Sequence, residues 1–197
     1  MKEQIIDGIK YRLDEETKTA KVIEKDGYEG DIIIPETVVF NEVIYRVTSI
    51  EDYAFDFCEN LESITIPNSV NIIGENAFCG CKLLTAITIS NNVKSIGYGT
   101  FKYCDSLTAI TIPHGVTTIG EVVFEDCKNL EAITIPDSIE SIGREAFYCC
   151  KSLKAICYEG TKAQWKKIIL ANDTFKAWNR RSAIRVVHCT DGNIWIY

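Results

Sequence analysis

Nine cysteines and two histidines are the side chains of this 197-residue chain best suited to chemistry. Cys79-Gly80-Cys81 and Cys149-Cys150 bring thiols close enough to suggest a metal clasp or a redox pair. A structural zinc site needs four converging ligands, commonly in paired C-x-x-C spacings, and the chain has none. Cys58, Cys81, Cys104, Cys127 and Cys150 instead recur every 23 residues. That marks a repeat position filled by a small buried hydrophobe. Cys79 and Cys149 fall in other columns and are expected as exposed thiols open to oxidation. Cys157 is expected on a strand face and Cys189 in a terminal cap, neither with an evident partner. An odd number of cysteines leaves at least one unpaired in any disulfide scheme.

The histidines lie in different regions. His114 follows Pro113 at a position where sister segments carry Asn68, Asn91 and Asp137, which reads as a turn residue. His188 and Cys189, neighbours on one strand, point to opposite faces and cannot easily act on each other. No G-x-S-x-G, phosphate-binding loop or G-x-G-x-x-G is present. No catalytic residue, metal ligand or cofactor is therefore expected, and the chain reads as non-enzymatic, with an enzyme whose site lies in the terminal caps as the lesser alternative.

A shift of 23 residues aligns most of the chain with itself. Phe55, Phe78, Phe101, Phe124 and Phe147 form one column, and Leu61, Leu84, Leu107, Leu130 and Leu153 another. Further columns hold Ile50, Ile73, Ile96, Ile119 and Ile142, and Val47, Val70, Val93, Val116 and Ile139. Gly74, Gly97, Gly120 and Gly143 follow the first of these. One such unit cannot bury its apolar face alone, whereas a stack can. In Leu84-Thr85-Ala86-Ile87-Thr88-Ile89 the alternation predicts a strand, and neighbouring units add parallel strands. The segment Glu75-Asn76-Ala77-Phe78-Cys79-Gly80-Cys81 spaces its inward residues for a single helical or 3₁₀ turn on the opposite face. Val70 and Ile73 are expected on a short extended piece between the two.

The flanks differ from the repeat, as solenoid ends must. Ile9–Leu13 and Ala20–Glu24 read as a hairpin, and Ile32-Ile33-Ile34-Pro35 mimics the repeat strand. From Val38 to Val70 is 32 residues, nine more than one period, which predicts an inserted hairpin through Phe40-Asn41-Glu42-Val43. Thr161-Lys162-Ala163-Gln164 has the capping-box pattern before Trp165, and Thr190-Asp191-Gly192-Asn193 marks a terminal hairpin. The expected organisation is an N-terminal β cap with a degenerate first repeat over 1–40, five 23-residue units and a closing strand over 41–158, and a C-terminal cap over 159–197. The fold class is a β-rich α/β solenoid.

Net charge is −7, divided unevenly. Residues 1–158 carry 14 Lys/Arg against 25 Asp/Glu, and residues 159–197 carry 7 against 3. An acidic body argues against nucleic-acid binding, which depends on neutralising phosphates. No apolar run reaches the roughly 20 residues of a membrane-spanning helix. The opening Met1-Lys2-Glu3-Gln4-Ile5-Ile6-Asp7-Gly8 lacks the features of a signal peptide, which points to the cytoplasm.

Outward on the strand side, Thr65, Thr88, Thr111 and Thr134 line up beside Ser63, Ala86, Ala109, Ala132 and Ala155. Such a strip serves sheet formation and close stacking, or a platform for an extended partner tuned by Glu62, Glu131 and Lys154. On the opposite side, Tyr53, Tyr98, Tyr103, Tyr148, Ile72 and Val122 stand where other repeats are polar. Surface aromatics favour protein contacts. Candidate binding residues are therefore Thr65, Thr88, Thr111, Thr134, Glu62, Glu131, Lys154, Tyr98 and Tyr103, toward a protein of unknown identity. The basic Lys162, Lys166, Lys167, Lys176, Arg180, Arg181 and Arg185 facing an acidic body give the alternative of weak self-association.

The string Ile64-Thr65-Ile66-Pro67-Asn68-Ser69-Val70, with Ile73-Gly74, Ala77-Phe78, Cys81 and Leu84, resembles the BspA-type leucine-rich repeat of bacterial proteins. Departures are Ser90 for proline, Thr100 and Val123 for alanine, and Glu51 for glycine. The resemblance implies a curved, right-handed leucine-rich-repeat superhelix used for binding, without shared catalytic residues, and often placed at the cell surface as an adhesin.

Overall fold

Alternation of inward isoleucine with outward alanine and threonine produces short strands at every period. The computed structural model describes residues 1–170 and 182–196. The N-terminal part holds β1 (Lys2–Ile6), β2 (Ile9–Asp14), β3 (Thr19–Val22), β4 (Gly30–Ile33), β5 (Thr37–Phe40) and β6 (Val43–Ile50). The repeats supply β7 (Leu61–Thr65), β8 (Ile72–Ile73), β9 (Ala86–Thr88), β10 (Ser95–Ile96), β11 (Ala109–Thr111), β12 (Thr118–Ile119), β13 (Ala132–Ile135), β14 (Ser141–Ile142) and β15 (Ala155–Tyr158). The C-terminal part holds α1 (Lys162–Trp165), β16 (Ile169–Leu170), β17 (Val186–Cys189) and β18 (Gly192–Trp195).

Each period contributes two strands to two parallel sheets. Front strands pair across a shift of one repeat, with Ile64 opposite Ile87 and Ile110 opposite Ile133. The short extended piece pairs in the same way, with Ile96 opposite Ile119 and Ile119 opposite Ile142. The third side is a column of turns. There the phenylalanine amides donate to the next repeat, Phe55 N to Ala77 O at 2.8 Å and Phe101 N to Val123 O at 2.9 Å. Within the turns the bonds are local, as from Cys104 N to Phe101 O at 3.3 Å. Two left-handed residues keep each turn from growing into a helix. Tyr53, Asn76, Val122 and Glu145 take φ of 50° to 60° in one column, and Phe57, Tyr103, Asp126 and Cys149 do so in the other.

The core is the predicted set of columns. Phe55, Phe78, Phe101, Phe124 and Phe147 are fully buried, and their rings stack at 5.2, 5.6, 5.6 and 5.5 Å. The cysteine column has a specific reason. The thiols of Cys81, Cys104, Cys127 and Cys150 donate to the carbonyls of Phe55, Phe78, Phe101 and Phe124 at 3.2, 3.2, 3.0 and 2.9 Å. A thiol is small enough for the interior and still offers a weak donor. The glycine column marks a close approach: a Cβ on Gly143 would lie 2.4 Å from the Gly120 carbonyl carbon.

Both ends are sealed by aromatics. Tyr28 lies 4.6 Å from Phe55, and Trp165, buried on α1, meets Tyr158 edge-on at 5.0 Å. The inserted hairpin forms as expected, Phe40 opposite Val43, with Asn41 and Glu42 at φ of 49° and 63°. That is the conformation a two-residue I′ loop requires. Thr161 caps α1 reciprocally with Gln164. A further strand stands outside the hairpin expected from the sequence: Lys2–Ile6 pairs with β2 through a turn at Asp7-Gly8, whose φ values are 48° and 83°. Asp-Gly between alternating residues is its signal. The terminal hairpin turns at Thr190-Asp191 alone, because Cys189 already pairs with Gly192.

Candidate interaction surface

The front face carries the predicted outward strip. Thr65, Thr88 and Thr111 are exposed and Thr134 is half-buried. Glu62 near the start of β7, and Glu131 and Lys154 just before β13 and β15, are exposed. Tyr98 and Tyr103 belong to the turn column on the other side of the core, so the structure does not bring them together with the threonines. Tyr98 is exposed, whereas Tyr103 is half-buried with the Lys102 ammonium 4.9 Å from its ring. That ammonium also pairs with Glu125 at 2.9 Å.

The strip is interrupted once. The front strands form two sheets, β4-β7-β9 and β11-β13-β15-β17-β18, with no bonded pairing between β9 and β11. Ile66 N donates to Thr88 O at 3.0 Å and Ile112 N to Thr134 O at 2.9 Å, but Ile89 N has no such acceptor among the described residues. The second sheet breaks at the same step. Gly74 N reaches Ile50 O at 2.9 Å and Gly120 N reaches Ile96 O at 2.8 Å, yet Gly97 N does not reach Ile73 O. On the turn side the ladder continues, Asn76 N to Tyr98 O at 2.8 Å and Phe78 N to Thr100 O at 3.0 Å. Adjacent repeats are thus joined at the turns and parted at the strands.

Local chemistry accompanies the break. Ser90 stands where Pro67, Pro113 and Pro136 occupy the other repeats, and its hydroxyl accepts from Asn92 N at 3.1 Å. The Asn92 amide donates to Asn68 O at 2.7 Å. Such side-chain bonds offer the backbone an alternative to the ladder. The result is a groove of about 480 Å³ lined by Thr85, Ile87, Thr88, Asn91, Thr111 and Pro113. Ile87 is partly exposed into it, whereas Ile64, Ile110, Ile133 and Ile156 are buried. Residue-resolved hydrogen exchange should find the amides of Ile89 and Gly97 exchanging at least about 100-fold faster than those of Ile112 and Gly120, as expected for groups outside a ladder. Equal protection would mean that the seam is closed in solution.

Two sequence expectations need correction. Cys79 is buried rather than exposed. Its sister positions Asp56, Lys102, Glu125 and Tyr148 are all half-buried; long side chains reach out of that hollow and a short thiol stays down. Burial, then the charge of Asp56, pushes its pKa up to about 12. Val122, read as outward, is also buried. His114 is exposed and lies 3.5 Å from Glu159. Among the described residues, no three His, Cys, Asp or Glu side chains gather as a metal site, and no helix is long and apolar enough to cross a membrane. Lys176, Arg180 and Arg181 lie outside the described residues.

Residues 43–175 match the family described as BspA type Leucine rich repeat region, in 6 copies. Among solved structures, a leucine rich cell surface protein from Faecalibacterium prausnitzii A2-165 is 33% identical with a TM-score of 0.76, over 84% of this chain and 42% of that one. A leucine rich repeat protein of T. pallidum is 28% identical with a TM-score of 0.70, over 79% and 71%. A leucine-rich repeat protein from Bacteroides ovatus ATCC 8483 is 34% identical with a TM-score of 0.61, over 78% and 46%. This chain thus spans less than half the length of the first and third of these proteins. No curated protein matches it.

Proposed function

Because this chain belongs to the BspA-type leucine-rich repeat family, whose repeats generally serve protein interaction, we propose that its front face binds an extended segment of a partner protein at the groove between β9 and β11. The observation that carries this reading is the single break in an otherwise uniform threonine strip. A uniform ladder satisfies its own backbone and offers little to recognise. At the break, unpaired strand edges, the Thr88 and Thr111 hydroxyls and the apolar side of Ile87 meet in one groove. Main-chain bonds with side-chain pockets between them are how extended peptides are taken up at sheet edges. The likeness to a cell surface protein supports an adhesive role at the cell surface.

The test uses peptides selected from a random displayed library on the intact protein. Affinity should fall at least about tenfold, or 1.4 kcal/mol, in a Thr88→Arg/Thr111→Arg variant and stay unchanged in Tyr98→Ala/Tyr103→Ala. Binding that survives the first variant and is lost in the second would move the surface to the turn side.

A further inference from the structure

Three side chains of complementary chemistry stand in one row on the solvent side of the C-terminal strands. β15 and β17 run parallel with Cys157 opposite His188. β17 and β18 run antiparallel with His188 opposite Asn193. All three residues are exposed. Neighbouring strands lie about 4.8 Å apart, so thiol, imidazole and amide are adjacent on one face. The chain between β15 and β17 hides this adjacency from the sequence.

His188 Nδ1 lies 2.9 Å from Asn193 Oδ1. With that oxygen as acceptor, Nδ1 carries the proton and Nε2 keeps its lone pair. A thiol, a neutral imidazole and an amide oxygen orienting it are the parts from which activated cysteine nucleophiles are built. On its other side Cys157 pairs with Thr134, so it occupies the threonine column at the one rung that meets a histidine. Trp195, 58% exposed and opposite Val186, provides an apolar shelf beside the row. No other thiol resembles it: Cys58, Cys79, Cys81, Cys104, Cys127 and Cys150 are buried, and Cys149 and Cys189 are half-buried.

We propose that Cys157, His188 and Asn193 form a reactive-thiol site that exchanges with an accessible disulfide and holds the product as a mixed disulfide on the front face. His188 Nε2 takes the thiol proton. The Cys157 sulfur attacks one sulfur of a disulfide R–S–S–R′, a Cys157–S–S–R bond forms and the S–R′ bond breaks. The leaving thiolate R′–S⁻ takes the proton back from His188 and departs as R′–SH. Cys157 is oxidised as the leaving sulfur is reduced, so no further oxidant enters. Asn193 is a positioning residue that acts through His188. The site is independent of the groove between β9 and β11.

The test follows reaction of the intact chain with oxidised glutathione by mass spectrometry and peptide mapping. A second arm uses a short peptide carrying an exposed disulfide, which separates a small-molecule source from a protein one. Cys157 should be modified first. His188→Gln should slow it about tenfold, a gain capped because an ordinary thiol is already a few per cent thiolate near neutrality. Asn193→Ala should slow it by a smaller factor and Asn193→Asp, which still accepts from Nδ1, should restore it. All three residues are exposed, so these variants keep the fold, checked by an unchanged thermal midpoint. An unaltered rate in His188→Gln, or equal modification of Cys149 or Cys189, would overturn the proposal.

Discussion

Replacing Phe101 by alanine is expected to destabilise the protein by about 3–5 kcal/mol, the range for a fully buried aromatic removed from a core that cannot collapse. Phe101 stands between Phe78 and Phe124 with centroid distances of 5.6 Å to each. Both stacks are lost in the variant, each worth roughly 0.5–1.5 kcal/mol beyond the buried area. Its neighbours cannot close the void. Phe78 N is held by Thr100 O at 3.0 Å and Phe124 N by Ala146 O at 2.8 Å, which fixes the backbone on either side. Urea denaturation of wild type and variant measures the difference. A loss under about 1.5 kcal/mol, the value of a well-tolerated core swap, would show that the column is not closely packed.

Alkali should unfold the protein steeply, because the cysteine column resists ionisation. Burial raises the pKa of Cys81, Cys104, Cys127 and Cys150 far above the ordinary value of 9.0. Below pH 9 both folded and unfolded chains hold these protons, and the column contributes its full stability. Above it the unfolded chain releases protons that the folded chain keeps, so each rise in pH favours unfolding. Every thiol then costs about 1.4 kcal/mol per pH unit, and four together cost roughly 5 kcal/mol per pH unit. A domain of ordinary stability, about 5–15 kcal/mol, is exhausted within a few pH units. Stabilities from urea denaturation between pH 9 and 10.5 should fall with a slope to which this column contributes about four protons, beside those of the buried Cys58 and Cys79. The slope should be about two protons smaller in Cys104→Ala/Cys127→Ala. A flat profile would place the thiols in contact with solvent.

The interior was legible in the sequence because a stacking period repeats the same demand at every turn. Phe124 is buried for the same reason as Phe55, and one column predicts the next. The hairpin through Asn41-Glu42 and the capping box at Thr161 were legible because their signals are local. What escaped depends on spacing in three dimensions. Whether Ile89 N finds Thr111 O is a matter of a few ångströms between backbones; the only local trace is Ser90 in place of proline. Cys79 lies outside the repeating cysteine column yet is buried, because the length of its sister residues Asp56, Lys102 and Glu125, not their position, carries them toward the surface. The juxtaposition of Cys157 and His188 follows from the register of two strands separated by a long excursion, which no periodicity reports.

The one-sided attachment between β9 and β11 also determines how the molecule carries a load. A force drawing its two ends apart bears on the junctions on either side through three sets of bonds in parallel, and on this junction through the turn side alone. Tension will therefore open the array here before its neighbouring junctions, like a book along its spine, and the stack behaves as two stiff blocks joined by a yielding link.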